Sequence, residues 1–161
     1  MKNLCLTFLI STIILSCTEK KKSAQSNELK KLPEINFEFP DTIHKNISYK
    51  GKIYYSGIFD TITKNVMEKK NGIDRYIIFS LTKSSHPNEN IAALRKMKLD
   101  TFGAIDNNAI LLDNIIFKEL GVFYINGILN DHVTIDTKRS DKKIRYIEKE
   151  YILNHKIVVI Q

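Results

Sequence analysis

The stretch 47–59, ISYKGKIYYSGIF, decides the predicted fold because apolar and polar side chains alternate along it. One face carries Ile47, Tyr49, Gly51, Ile53, Tyr55, Gly57 and Phe59, and the other carries mainly polar residues. Successive side chains of a β-strand point to opposite faces of the sheet. The pattern therefore predicts a half-buried strand.

Further strand patterns follow toward the C-terminus. A short apolar strand is expected at 76–81, after the turn signal Asn71-Gly72, and two more at 121–129 and 133–135. The last two, 144–152 and 156–160, predict a hairpin that turns at Asn154-His155. One helix is expected between Pro87 and Lys98, while 109–120 fits a strand or a helix.

These elements predict a mainly β fold, either an antiparallel β-sandwich or an open barrel, with one short helix. A closed, lipocalin-like cup is the alternative, although fewer clean strands are visible than its eight. The segments 51–58 and 121–128 also agree at four of eight positions, including both glycines. Glycine within a strand indicates a bulge or a side chain packed on bare backbone.

The N-terminus has the features of an export signal. Lys2 precedes an apolar stretch, 4–15, and no further charge occurs before Glu19. A membrane-spanning helix needs about 20 apolar residues, so this stretch is short for one. A secretory signal peptide has this arrangement.

The end of that segment, Ile14-Leu15-Ser16-Cys17, resembles the signal of bacterial lipoproteins. The resemblance implies removal of residues 1–16 and acyl chains on Cys17, which bind the membrane. Two or more acyl chains hold a protein there stably. Because Cys5 lies in the removed piece, the mature domain has no thiol for a disulfide, a metal site or catalysis.

We expect residues 17–33 to contain the lipidated Cys and a flexible, Lys-rich tether, and 34–161 to form a single mainly β domain. The low Gly and Pro content resembles that of Bacteroidota proteins. Surface-exported lipoproteins of that group carry acidic residues after the Cys, whereas here Glu19 precedes three Lys. This favours a periplasm-facing anchor in the cell envelope.

The net charge of +7 comes from 25 basic and 18 acidic residues. Residues 1–33 hold six of the basic and two of the acidic residues, so the domain keeps an excess of only three. Export and this near balance argue against nucleic acid as a partner.

Residues with catalytic or metal-binding chemistry are scattered. None of the four histidines has zinc-ligand spacing, so we expect no metal and no cofactor. Ser84-Ser85-His86 lacks the glycines of a nucleophile elbow. Asp131-His132 is expected in a solvated turn, and Glu148 and Glu150 on a solvated strand face.

Two surface features remain. The polar face of the opening strand, with Lys50, Lys52, Tyr54 and Ser56, predicts a contact surface, or alternatively a charged edge that prevents aggregation. Asp41-Thr42-Ile43 and Asp60-Thr61-Ile62 resemble the O-glycosylation acceptor of Bacteroidota, with Thr42 and Thr61 as the acceptors.

The sequence therefore predicts a cell-envelope lipoprotein whose domain binds or scaffolds an envelope protein or glycan and is not an enzyme. One alternative is a barrel that carries a small hydrophobic ligand. The other is an envelope hydrolase with a site assembled from distant residues, for which His132, Glu148 and Glu150 are the first candidate catalytic residues.

Overall fold

The computed structural model describes residues 33–66, 69–106, 109–138, 140 and 143–161. These residues form the strands β1 (Glu34–Glu38), β2 (Thr42–His44), β3 (Ser48–Ser56), β4 (Ile73–Ser84), β5 (Asp100–Gly103), β6 (Ala109–Ile116), β7 (Gly121–Asp136) and β8 (Ile144–Ile160). A one-turn helix, α1, spans Ile91–Leu94, and a 3-10 turn spans Ile58–Thr61.

The strands form two sheets. One has the order β1-β3-β6 and the other the order β2-β8-β7-β4-β5. All pairs are antiparallel except β2 with β8, which is parallel. A bridge between Ala104 and Ile110 joins the two sheets along one side. The expected mainly β fold with one short helix is confirmed.

The core lies between the sheets and follows the predicted alternation of β3. Ile53 and Tyr55 are buried, whereas Tyr54 between them is exposed. Phe79 of β4 faces them from the larger sheet. The Phe37 and Phe79 rings meet edge to face, with their centroids 5.7 Å apart. Gly127 accommodates Phe79, because a Cβ atom there would lie 2.3 Å from its Cζ. The strand glycine therefore marks a side chain packed on bare backbone, as expected.

Two predicted breaks do not occur. β7 runs without interruption through Asp131-His132, and β8 runs through Asn154-His155, so the closing hairpin was a wrong prediction. Asp131 is fully buried beside Arg75 rather than in a solvated turn. His155 packs against Phe37, with ring centroids 4.9 Å apart. Asp131 and His155 can lie within long strands because Arg75 and Phe37, from other strands, contact them.

The ambiguous segment 109–120 contains β6, and the predicted helix is only one turn long. Asn90, not Pro87, begins that helix, since its Oδ1 accepts the Ala93 N–H at 3.1 Å. The helix packs against the outer face of β7 and buries Leu94. Beside it, the buried Asn126 accepts the Asn88 N–H at 3.0 Å. One end of this outer face is thus covered and the other is open.

Candidate binding surface

In both β4 and β7, two consecutive polar residues point to opposite faces of the sheet. Tyr76 pairs with His132 across these strands, and His132 pairs with Glu148 of β8. The preceding residues, Arg75 and Asp131, point into the core, where both side chains are fully buried. Two polar groups therefore lie back to back on the same strands.

The group on the open face, which we call the outer-face cluster, comes from three adjacent strands. It consists of Tyr76, Asn130, His132, Tyr146, Glu148 and Glu150. The His132 ring lies between the two tyrosines, with centroid distances of 5.3 Å to Tyr76 and 5.7 Å to Tyr146. Cross-strand aromatic contacts of this kind stabilise a sheet.

One amide joins the two carboxylates of the cluster. Asn130 Nδ2 donates to an oxygen of Glu148 and, at 3.3 Å, to Oε1 of Glu150. Asn130 Oδ1 lies 3.2 Å from His132 Nδ1, so the amide also connects the rings to the acids. The two carboxylates therefore share one donor at the surface.

One carboxylate of the cluster, Glu150, forms an ion pair with an arginine. Arg95, just after α1, places Nη2 at 2.5 Å from Glu150 Oε2, and Glu150 raises the pKa of Arg95. Partial desolvation, followed by the Glu148 charge, raises the pKa of Tyr146. The two carboxylates of the cluster, with one arginine paired to Glu150, give this face an excess of negative charge.

Beneath the cluster lies a second group, the buried charge network of Arg75, Asp131, Tyr55 and Asp60. Arg75 donates from Nε and Nη2 to the two Asp131 oxygens at 2.8 and 2.7 Å. Its Nη1 donates to Asp60 Oδ1 and to the Thr63 carbonyl, both at 2.7 Å. The Tyr55 hydroxyl donates to Asp131 Oδ2 at 2.7 Å.

The buried charge network also raises the pKa values of two of its members. Desolvation alone would lower the pKa of Arg75, but its hydrogen bonds and charges from Asp131 and Asp60 outweigh this and raise it. Burial, and then the Asp131 carboxylate, raises the pKa of Tyr55. The network ties β3, β4, β7 and the 3-10 turn together under the outer-face cluster.

The predicted contact surface lies on β3 of the other sheet. Lys50 pairs with Asp113 at 3.4 Å, and Lys52 Nζ lies 4.3 Å from the Tyr54 ring centroid. Ser56 donates to Asp60 at 3.0 Å. β3 is the middle strand of its sheet, so protection of a sheet edge cannot explain its lysines. The structure places these residues together but assigns them no ligand.

The remaining predicted residues stay predictions. Thr42 lies exposed on β2, and Thr61 lies exposed at the 3-10 turn, where its Oγ1 donates to the Ile58 carbonyl at 2.7 Å. Cys17 is outside the described residues. Within the described ranges, no three His, Cys, Asp or Glu side chains are arranged to hold a metal ion. No helix in these ranges is long and apolar enough to span a membrane.

The structure brings together the three residues named for the hydrolase alternative, His132, Glu148 and Glu150. Two further residues were not predicted from the sequence: Asn130, which links them, and Arg75, which neutralises Asp131. The alternation of buried and exposed positions along β4 and β7 was the only sequence feature that indicated either residue. No protein-family model and no curated protein matches the chain.

Proposed function

We propose that this chain is a periplasm-facing lipoprotein of the cell envelope, anchored through acyl chains on Cys17, whose β domain binds an envelope partner and has no catalytic role. The signal-like segment ending at Cys17 and the Lys-rich tether support the anchor. An envelope protein or a glycan is the expected class of partner.

One observation carries the binding function. The outer-face cluster places rings and carboxylates on an open sheet face, where Tyr146 is 57% exposed. Aromatic side chains with a polar end are favoured at interfaces, because they add contact area and still hydrogen-bond. The buried charge network holds the strands beneath in place, which limits the ordering that binding would require.

Cell fractionation tests the anchor. The full chain should remain in the membrane fraction at high salt, and Cys17→Ser should release it. A Cys17→Ser variant that stays membrane-bound under the same wash would show that lipidation at Cys17 is not the anchor. Cys5→Ser is the matched control, and we expect its mature form to stay with the membrane.

The convergence of His132, Glu148 and Glu150 favours hydrolase activity as a second candidate. Two oxygens that share one amide donor lie within about 6 Å of each other, an upper limit that is compatible with the separation of about 5–5.5 Å in retaining glycosidases. The test is turnover of aryl glycosides by the full chain and by Glu148→Gln. Turnover that the substitution abolishes would replace the binding proposal, and none is expected. No observation on the described residues favours the barrel for a small hydrophobic ligand.

A further inference from the structure

We propose that the open edge of β8 binds an extended segment of a partner protein by strand addition, and that this segment carries Lys or Arg at alternate positions. The inference rests on the proposed binding function and names the chemistry of the partner. An unpaired strand edge provides a row of backbone donors and acceptors for such a segment.

The edge is long. β8 pairs with β7 along its whole length, but β2 pairs with it only at Val158–Ile160. Among the described residues, no strand pairs with the other side of residues 144–157. About 14 residues of β8 therefore have one open side, more than twice the usual strand length of five or six.

The register shows which backbone groups face outward. On the side of β2, the Val158 N–H donates to the Asp41 carbonyl at 2.8 Å, and the Ile160 carbonyl accepts the Lys45 N–H at 2.9 Å. The pairing with β7 continues without a bulge to Ile144. Backbone N–H and C=O groups of alternate residues point to the same edge of a strand. The groups that point to the open edge therefore include those of Tyr146, Glu148, Glu150 and Ile152.

The charges on this edge select the partner. Glu148 and Glu150 lie two residues apart on the outer face, and Arg95 forms its ion pair with Glu150. A residue on an added strand would have its Cβ about 5 Å from the residue opposite, so Lys or Arg there would complement the carboxylates. On the inner side, Arg145 and Lys149 are exposed and would repel a cation. A segment with basic residues at alternate positions would place its cations beside the outer-face carboxylates and uncharged residues beside Arg145 and Lys149.

A second copy of the chain fits this edge poorly in the registers that centre on residues 147–150, and sedimentation tests the register centred on 152, which sets Glu148 against Lys156. Antiparallel pairing of two β8 edges about a two-fold axis perpendicular to the sheet places residues of the same face opposite one another. A register centred on 148, 149 or 150 sets Glu148 against itself, Glu148 against Glu150, or Glu150 against itself. A register centred on 147 sets Arg145 against Lys149. Like charges directly opposite destabilise a strand pair.

The experiment uses the purified full chain in detergent micelles and the acetylated, amidated peptide TKVKTKV. We expect saturable binding by fluorescence anisotropy, with slower amide hydrogen exchange at Tyr146, Glu148, Glu150 and Ile152. The peptide TEVETEV should bind at least about tenfold more weakly. TKVKTKV with alternate backbone nitrogens methylated, so that the donors facing β8 are lost, should also bind at least about tenfold more weakly.

Substitutions on the edge complete the test. Glu148→Lys should weaken TKVKTKV binding about tenfold, while Glu119→Lys, an exposed residue in the loop before β7, should leave it unchanged. Equal binding of the methylated peptide, or protection away from β8, would overturn strand addition. Edge protection without peptide, together with a dimer in sedimentation, would assign the edge to a second copy. A glycan or protein that protects the outer-face cluster but not the edge amides would overturn this inference and leave the proposed function intact.

Discussion

Replacing Asp131 with Asn should destabilise the domain strongly, because it removes one charge of a buried ion pair. Arg75 and Asp131 are both fully buried and joined by two hydrogen bonds. The amide keeps the shape of the carboxylate but removes its charge and places a donor against the guanidinium group. Removing one partner of a buried ion pair costs about 3–5 kcal/mol.

The surroundings place the expected loss near the lower end of that range. Arg75 keeps its bond to Asp60, whose side chain is 17% exposed, so its charge is not left alone. We expect the free energy of unfolding to fall by about 3 kcal/mol. At an unfolding entropy of about 2.1 cal/mol/K per residue over roughly 128 residues, this lowers Tm by about 11 °C. Urea and thermal unfolding followed by circular dichroism measure both quantities.

A surface ion pair provides the matched control. Asp113 and Lys50 lie 3.4 Å apart, with side chains 64% and 80% exposed. Asp113→Asn should change the free energy of unfolding by less than about 1 kcal/mol. The double variant Asp131→Leu, Arg75→Met should recover only part of the loss, because it removes both fully buried charges but leaves Asp60 without its cation and the Tyr55 hydroxyl without its acceptor. A loss below about 1 kcal/mol for Asp131→Asn would refute this account of the network.

Three further predictions concern other buried positions. Because burial raises the pKa of Tyr55 above its ordinary value of 10, the folded chain keeps a proton that the unfolded chain loses above pH 10. Ionisation of Tyr55 in the unfolded chain should therefore lower the free energy of unfolding by about 1.4 kcal/mol per pH unit there. Tyr55→Phe should remove that share of the slope in urea unfolding from pH 9 to 11, and equal slopes in the two proteins would contradict this. Gly127→Ala places a Cβ 2.3 Å from Phe79 Cζ and should cost about 1–3 kcal/mol; Gly103→Ala meets no atom within 4 Å and should cost less than about 1 kcal/mol in the same unfolding assay, so similar losses would disprove the packing argument. Asn126→Ala removes three hydrogen bonds to 84–88 and should cost about 2 kcal/mol and accelerate amide exchange at residue 88, where unchanged exchange would count against it.

The sequence was sufficient for the fold class and for the buried faces of its clearest strands. In β3 the alternation around Ile53 and Tyr55 could be read directly, since both residues face a core made of apolar side chains. The glycines were informative for the same local reason. Gly127 indicated close packing, although its neighbour Phe79 lies 48 residues earlier in the chain.

The lengths of β7 and β8 could not be predicted, because their polar residues are compensated by distant partners. Asp131 reads as a turn residue until Arg75, 56 residues earlier, is placed beside it. His155 reads as a break until Phe37 from the other sheet covers its ring. In both cases the decisive partner comes from another strand, and a single sequence contains no information on that pairing.

The alternation that places polar residues on both faces of β4 and β7 also determines which substitutions test the binding surface cleanly. Asp131 and His132 are adjacent, so loss of the buried pair would also disturb the strand that holds the His132 ring between Tyr76 and Tyr146. A binding defect in Asp131→Asn would therefore not distinguish a lost contact from a distorted sheet. Glu148 is exposed and is not part of the buried network, so a change there alters the surface charge while the core is kept. Binding lost in Glu148→Lys at unchanged stability is consequently the result that assigns recognition to the surface.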